Sequence, residues 1–173
     1  DLQQGGIRLI KVRDNGIGIH QQDLLLALQR HATSKIKVAE DLDAINTLGF
    51  RGEALPSIDS VARLELSSAI EGETGFMAAD GQVQPAAHSR GTTVAVHELF
   101  YRVPARRKFL RTEKTEFSHI DAQLRRVALS RFDVGFNWSH NGRQIQQLRI
   151  ANSREQQEAR IGRLMGADFL ADA

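Results

Sequence analysis

Cysteine is absent from the 173 residues. That absence removes disulfides, cysteine-ligated zinc and a cysteine nucleophile together, and it fits a reducing compartment. Long apolar runs are missing as well. No stretch approaches the roughly 18 consecutive apolar residues of a membrane span, and no charged segment leading into an apolar one marks a signal peptide. Charge of one sign is scarce: 23 basic and 21 acidic residues leave a net +2, too small a surplus to argue for nucleic-acid binding by the whole chain. The six histidines form no H-x-x-x-H pair, so a zinc site is not expected. What remains, 41% apolar and 25% charged residues, is the balance of a globular protein. The length suits one ordinary domain plus a remnant of another. The first residue is Asp1 rather than a methionine, so a preceding segment is expected.

Two common phosphate motifs are also missing. There is no G-x-x-x-x-G-K-[ST] loop, and Gly16-Ile17-Gly18 lacks the third glycine of the dinucleotide fingerprint. Any nucleotide is bound by another scheme.

The periodicity predicts an alternation of strands and helices. Ile7 to Val12 reads as a strand apolar on both faces, hence an interior one. Leu24, Ala27, Leu28 and His31 follow helical spacing, and Leu42, Ile45 and Leu48 mark a short helix stopped by Gly49. A further helix opens at Gly52, with Pro56 tolerable in its first turn. Strands follow through Ala62, Leu64 and Leu66, around an Asp80-Gly81 turn, and from Thr92 to Val96. Phe117, Ile120, Leu124 and Val127 line one side of a longer helix. Asn141-Gly142 signals a hairpin, in which Phe136 and Trp138 belong most simply to a core. Ser153 and Gln156 are spaced as a capping box for a last helix. A boundary is expected near residue 151.

Two segments carry chemistry. Asp14-Asn15-Gly16-Ile17-Gly18 can form a tight hairpin, but a hairpin needs a second strand and the sequence turns helical instead. The alternative is a strand end that delivers Asp14 into a pocket. An ionised carboxylate only accepts hydrogen bonds, so it suits a ligand with a donor such as the exocyclic amine of adenine. Gly16 and Gly18 lack a Cβ and allow close approach of a ring or a backbone. In the second segment, Gly49 and Gly52 bracket Phe50 and Arg51 ahead of a helix start. Helix N-termini suit phosphate, and Arg51 adds a planar fork of donors. The same residues also read as a glycine helix stop followed by an ordinary start, with Arg51 in solvent. The basic run Arg102, Arg106, Arg107, Lys108, Arg111 and Lys114 can contact DNA phosphates, yet Glu113 and Glu116 interrupt it and favour a solvated segment.

Together, Asp14 to Gly18, His31-Ala32-Thr33-Ser34-Lys35-Ile36 and Gly49-Phe50-Arg51-Gly52-Glu53-Ala54-Leu55 closely resemble the MutL family of DNA mismatch repair proteins, and the last of these runs is its specific signature. Gly91-Thr92-Thr93 and Pro104 to Leu110 extend the resemblance over nearly the whole chain. It places the chain in the GHKL ATPase superfamily with type II topoisomerases, large heat-shock chaperones and sensor histidine kinases. The implied fold is α+β: a two-layer sandwich of helices on a mixed β-sheet (the Bergerat ATPase fold), truncated at its N-terminus. Residues 1–150 would be the ATPase domain without its first helix and strand, and 151–173 a linker entering a ribosomal-S5-like transducer domain. By resemblance, Asp14 contacts the adenine amine and Gly16 and Gly18 shape the ring pocket. Thr33, Ser34 and Lys35 belong to a lid, and Gly49, Phe50, Arg51 and Gly52 meet the phosphates. Thr93 completes the adenine side, or is simply a β-branched strand residue.

The family places its general base, a Glu, and a magnesium-holding Asn on a helix upstream of this first strand, and no E-N-S-x-D-A-like segment occurs here. Hydrolysis needs a base within hydrogen-bond reach of the water, and Mg²⁺ bridging phosphate oxygens. The resemblance therefore implies an ATPase using ATP and Mg²⁺ in the intact protein, with no catalytic or metal residue in this span and no turnover by this span alone. It further implies an ATP-dependent dimer of the chain with itself. Other implied partners are the mismatch sensor MutS, a downstream endonuclease and helicase, and DNA. The implied setting is the bacterial cytoplasm, at the nucleoid during repair, with no membrane contact. Alternatives are a nucleotide-binding module without turnover, a topoisomerase-like relative, and an inert folded remnant.

Overall fold

Side chains alternate along a strand, so each sheet sorts its residues into two faces, and helices settle on the more apolar one. The computed structural model describes residues 1–30 and 52–166. In chain order the strands and helices are β1 (Leu2–Gln3), β2 (Leu9–Arg13), α1 (Leu24–Ala27), α2 (Ala54–Asp59), β3 (Arg63–Ala69), β4 (Phe76–Ala79), β5 (Gln82–Pro85), β6 (Gly91–His97), α3 (Pro104–Arg107), α4 (Glu113–Ser130), β7 (Phe136–His140), β8 (Arg143–Leu148) and α5 (Arg154–Met165). Short 3-10 turns occupy Gln4–Gly6 and Gln21–Asp23. The chain has the α+β character expected of it. No helix among the described residues is long and apolar enough to cross a membrane.

The chain divides into two compact units. One is Leu9–Phe109, a sheet in the order β5-β4-β3-β6-β2 with every neighbouring pair antiparallel. Its register sets Leu66 opposite both Val94 and Ala78, and Val96 opposite both Leu64 and Ile10. These residues share a face. Leu24 of α1 packs there against Leu66 and Ala78, and all three are fully buried. Leu55 and Ile58 of α2 cover Ala62, Leu64 and Val96. Each large apolar side chain removed from water contributes about 1.5–3 kcal/mol. Pro56 lies in the first turn of α2, where its missing N–H costs no helical bond.

The strand expected over Ile7 to Val12 runs from Leu9 to Arg13, and Val12 is 62% exposed rather than interior. Val12 shares the apolar face, but the helices of this unit lie principally over β3, β4 and β5. The Asp80-Gly81 turn joins β4 and β5 as expected. The first helix is shorter than its periodicity suggests, a 3-10 turn followed by four α-helical residues. His31 and the helix expected through Leu42, Ile45 and Leu48 lie outside the described residues.

The second unit combines Asp1–Arg8 with the chain from Leu110 onward. β1 pairs parallel to β7, and β7 and β8 form the hairpin expected at Asn141-Gly142. Its core joins Trp138 and Leu148 to Ala128 of α4 and Leu164 of α5. The indole N–H of Trp138 donates to Asp121 Oδ1 at 2.9 Å. On α4 the buried position is Ala128, whereas Val127 is 44% exposed. A step of four from Leu124 keeps to the core face better than a step of three here, because Asp121 and Trp138 set that face. The predicted capping box is present, Ser153 receiving the Gln156 N–H while the Gln156 side chain reaches back. The described part of this tail packs in the same unit as residues 110–150. The compact division falls near residues 8 and 109, and α5 contributes Leu164 and Arg160 to the core of the second unit.

Two arginines knit α4 to α5 by capping each other's C-terminal ends, where helix carbonyls lack partners and carry partial negative charge. Arg160 is 4% exposed. Its Nη1 donates to Ala128 O at 3.1 Å and Arg131 O at 3.0 Å, and its Nη2 to Val134 O at 3.0 Å and to Arg149 O. Burial lowers its pKa from the usual arginine value. In return Arg125 Nη1 donates to Leu164 O at 3.1 Å. Arg160→Ala strands buried carbonyls and is expected to destabilise the fold by about 3 kcal/mol or more in urea denaturation. Arg160→Lys recovers only part of this, since one ammonium cannot match the planar fork. Arg154, whose ion pair with Glu158 is exposed, is the control: its alanine variant keeps the wild-type midpoint.

Candidate functional site

β2 ends one residue short of Asp14, which stands opposite Thr92 at the start of β6. The Asp14 N–H donates to Thr92 O at 2.9 Å, and the Thr92 N–H returns a bond to Asp14 Oδ1 at 3.2 Å. The Gly16 N–H donates to the same oxygen at 2.8 Å, closing a turn in which an aspartate side chain mimics backbone. Oδ1 therefore takes two donors. Among the described residues no hydrogen bond engages Oδ2. Asp14 is exposed, and its carboxylate offers an acceptor held in a fixed direction.

No second strand follows Asp14-Asn15-Gly16, so the hairpin alternative falls away. The loop instead turns back against the ends of β3 and β6. Two glycines permit this. A Cβ on Gly18, at φ +83°, would lie 2.1 Å from Ala69 O; one on Gly91, at φ +115°, would lie 2.1 Å from Asp14 O. Neither position admits a side chain without moving backbone. Gly16 is tight for another reason: its Cβ would approach Asp14 Oδ1 to 2.9 Å. Arg90 straps the loop, Nε donating to Gly16 O at 3.2 Å and Nη1 pairing with Glu71 Oε2 at 2.8 Å.

Thr93 is not on this side of the sheet. It is 7% exposed, and its Oγ1 lies 2.8 Å from His88 Nε2. Strand alternation turns Thr92, not Thr93, toward Asp14, and the register confirms it, with Thr92 opposite Ser68 and Thr93 opposite Arg13 and Ser67. Of the two threonines, Thr92 is therefore the one that faces Asp14, and the expected Thr93 faces away. A run of two adjacent threonines gives no face by itself; the pairing register decides.

Ser68 is the residue that sequence reasoning missed. It is 2% exposed, accepts the Ile19 N–H at 2.8 Å, donates to Gly91 O at 2.8 Å and lies 3.0 Å from Thr92 Oγ1. The signal was faint: a serine facing inward in an otherwise apolar alternation through Leu64 and Leu66. Gly52 sits at φ +62° shortly before α2. Thr33, Ser34, Lys35, Gly49, Phe50 and Arg51 lie outside the described residues.

Two arginines of the basic run are engaged within the protein through their side chains. Arg102 Nε donates to Ala62 O at 3.1 Å, and its Nη2 meets Asp80 at 3.3 Å and Asp59 at 3.6 Å. Arg107 pairs with Glu98 at 3.4 Å. Glu116, one of the two glutamates interrupting the run, accepts the Arg111 N–H at 2.8 Å, beside the Thr112 cap of α4.

Comparison with known proteins matches the sequence and the fold to a family. No family model matches the chain. Along its whole length, however, it is 55% identical over 180 residues to the DNA mismatch repair protein MutL of Citrobacter koseri and 54% identical to that of Serratia proteamaculans. It spans 29% of the length of each of these relatives. Among solved structures it resembles the Aquifex aeolicus MutL ATPase domain complexed with ADP, at 29% identity and a TM-score of 0.67 over 91% of this chain and 57% of that one. The N-terminal domain of a DNA repair protein aligns at 26% identity and a TM-score of 0.74, over 95% of this chain and 51% of that one. Coverage of the whole of this chain at this identity, with the shared helix-and-sheet fold, means that the chain belongs to the MutL family of DNA mismatch repair proteins and represents part of its GHKL-type ATPase domain.

Proposed function

We propose that this chain forms the adenine-binding side of an ATP site, and that the intact protein hydrolyses ATP as a timed switch in mismatch repair. The observation that carries the reading is the Asp14 carboxylate, anchored through Oδ1 by the Gly16 and Thr92 N–H groups with Oδ2 unengaged among the described residues. A fixed acceptor on a strand end suits the donor edge of adenine. The ADP bound in the Aquifex aeolicus relative supports the same ligand class here.

In this reading Asp14 takes the exocyclic amine, and Gly16 and Gly18 keep the loop low enough for the ring. Thr92 stands in the role first expected of Thr93. Thr33, Ser34 and Lys35 close over the nucleotide, and Gly49 to Gly52 receive its phosphates, Arg51 adding a bidentate grip. Bound Mg²⁺ would neutralise charge on the β- and γ-phosphates. The described residues include no group of three or more His, Asp or Glu placed to hold a metal. The general base is assigned to the family's upstream helix. Asp14 itself is committed to adenine.

ATP then orders the lid and brings two copies of the domain together. The dimer engages MutS, the downstream endonuclease and helicase, and DNA, in the bacterial cytoplasm and at the nucleoid during repair. The relatives' name, DNA mismatch repair protein MutL, supports a role in that repair.

Asp14→Asn replaces one acceptor oxygen with a donor amide and removes the charge. It is expected to raise the dissociation constant of a labelled, non-hydrolysable ATP analogue about 10- to 100-fold in equilibrium dialysis. An unchanged constant would sink the adenine assignment. The full-length protein is expected to release phosphate from ATP only with Mg²⁺ present, while the 173-residue chain alone releases none above buffer. Turnover by the isolated chain would refute the upstream base.

A further inference from the structure

Ser68 of β3 makes three contacts at the candidate site: one to the loop after Gly18 through the Ile19 N–H, and two to the start of β6 through Gly91 O and the Thr92 hydroxyl. A serine hydroxyl has one proton to give and two lone pairs to offer. Gly91 is buried, and its carbonyl takes the Ser68 proton at 2.8 Å. The Ile19 N–H occupies one lone pair. The remaining contact, 3.0 Å to Thr92 Oγ1, is then satisfied only if Thr92 donates its own proton to Ser68. Ser68 is thereby fully used.

That assignment fixes the polarity of Thr92. With its proton directed at Ser68, the Thr92 hydroxyl turns only lone pairs outward. Asp14, which receives the Thr92 N–H, likewise offers only an acceptor at Oδ2. Both residues share the face of the sheet that carries Ser68. We propose that Ser68 is a positioning residue for base specificity: by holding the Thr92 proton, it makes the site an all-acceptor edge that takes a purine bearing an exocyclic amine and rejects one bearing a keto oxygen there. Adenine has an N–H₂ donor at that position, whereas guanine has an acceptor oxygen. Opposed acceptors at a partly desolvated edge are unfavourable. Without the Ser68 oxygen, the Thr92 proton is free to rotate outward and meet a keto oxygen. The inference rests on the reading of Asp14 as the adenine contact.

The test compares fluorescent ADP and GDP probes on the full-length protein. Ser68→Ala is expected to reduce the preference for the adenine over the guanine probe about tenfold, the equivalent of one hydrogen bond. Ser68→Thr, which keeps the hydroxyl, should retain the preference. If Ser68→Ala weakens both probes equally and leaves the ratio at its wild-type value, the hydroxyl serves only as a brace and the proposal is overturned. Should circular dichroism show Ser68→Ala unfolded, Thr92→Val carries the same expectation, a diminished ratio, and an intact ratio overturns it equally. Asp14→Asn separates the two levels: if it leaves adenine binding unchanged, the underlying reading fails and this one with it. If it weakens adenine binding while Ser68→Ala leaves the ratio intact, only the role of Ser68 falls.

Discussion

A carboxylate at the end of a strand can serve a ligand only if the protein holds it still without using it up. Asp14 meets that condition by dividing its oxygens. One accepts two backbone N–H groups; the other has no partner among the described residues. Backbone donors suit this task because they belong to the loop and strand that place the residue, so holding the side chain and shaping the loop are one act. The glycines around it follow from the same constraint. Gly91 and Gly18 bring backbone within distances that a Cβ would occupy, and this compactness lets the loop fold over the ends of β3 and β6.

The second unit solves a different problem, the satisfaction of helix ends inside a packed core. Carbonyls at the C-terminal end of α4 and its following loop meet the Arg160 guanidinium, and the end of α5 meets Arg125. A planar, permanently charged fork can satisfy several carbonyls at once, which a lysine cannot. The arrangement ties α5 to α4 and to the β7–β8 hairpin, so residues 154–165 belong to this core. A helix that reads as amphipathic and capped in sequence gives no indication of which core receives it.

These two networks differ in what they leave exposed. Around Arg160 the buried acceptors are filled and the side chain is enclosed. Around Asp14 the protein's own donors are used on one oxygen while the other faces outward. Ser68 belongs to the first kind by burial and to the second by position, and so links the core of its unit to the candidate site. A buried hydroxyl there stabilises only when each of its hydrogen-bonding options is met, and the three contacts it makes meet them.

Local chemistry was legible in the amino-acid sequence wherever a few neighbouring residues decide the outcome. The capping box at Ser153 and Gln156, the turns at Asp80-Gly81 and Asn141-Gly142, Pro56 in a first turn, and Asp14 at a strand end all depend on contacts within a handful of positions. The Gly49 to Leu55 signature was enough to indicate the family. Four other features waited on the tertiary structure: the facing of Thr92 rather than Thr93, the burial of Ala128 rather than Val127, the place of α5 in the core, and the hydrogen bonds of Ser68. Each is settled by contacts between residues far apart in the chain, namely strand register and helix packing. A one-residue change of register reverses every side chain in a strand, and nothing local to Thr92 and Thr93 encodes which of the two partner strands will read.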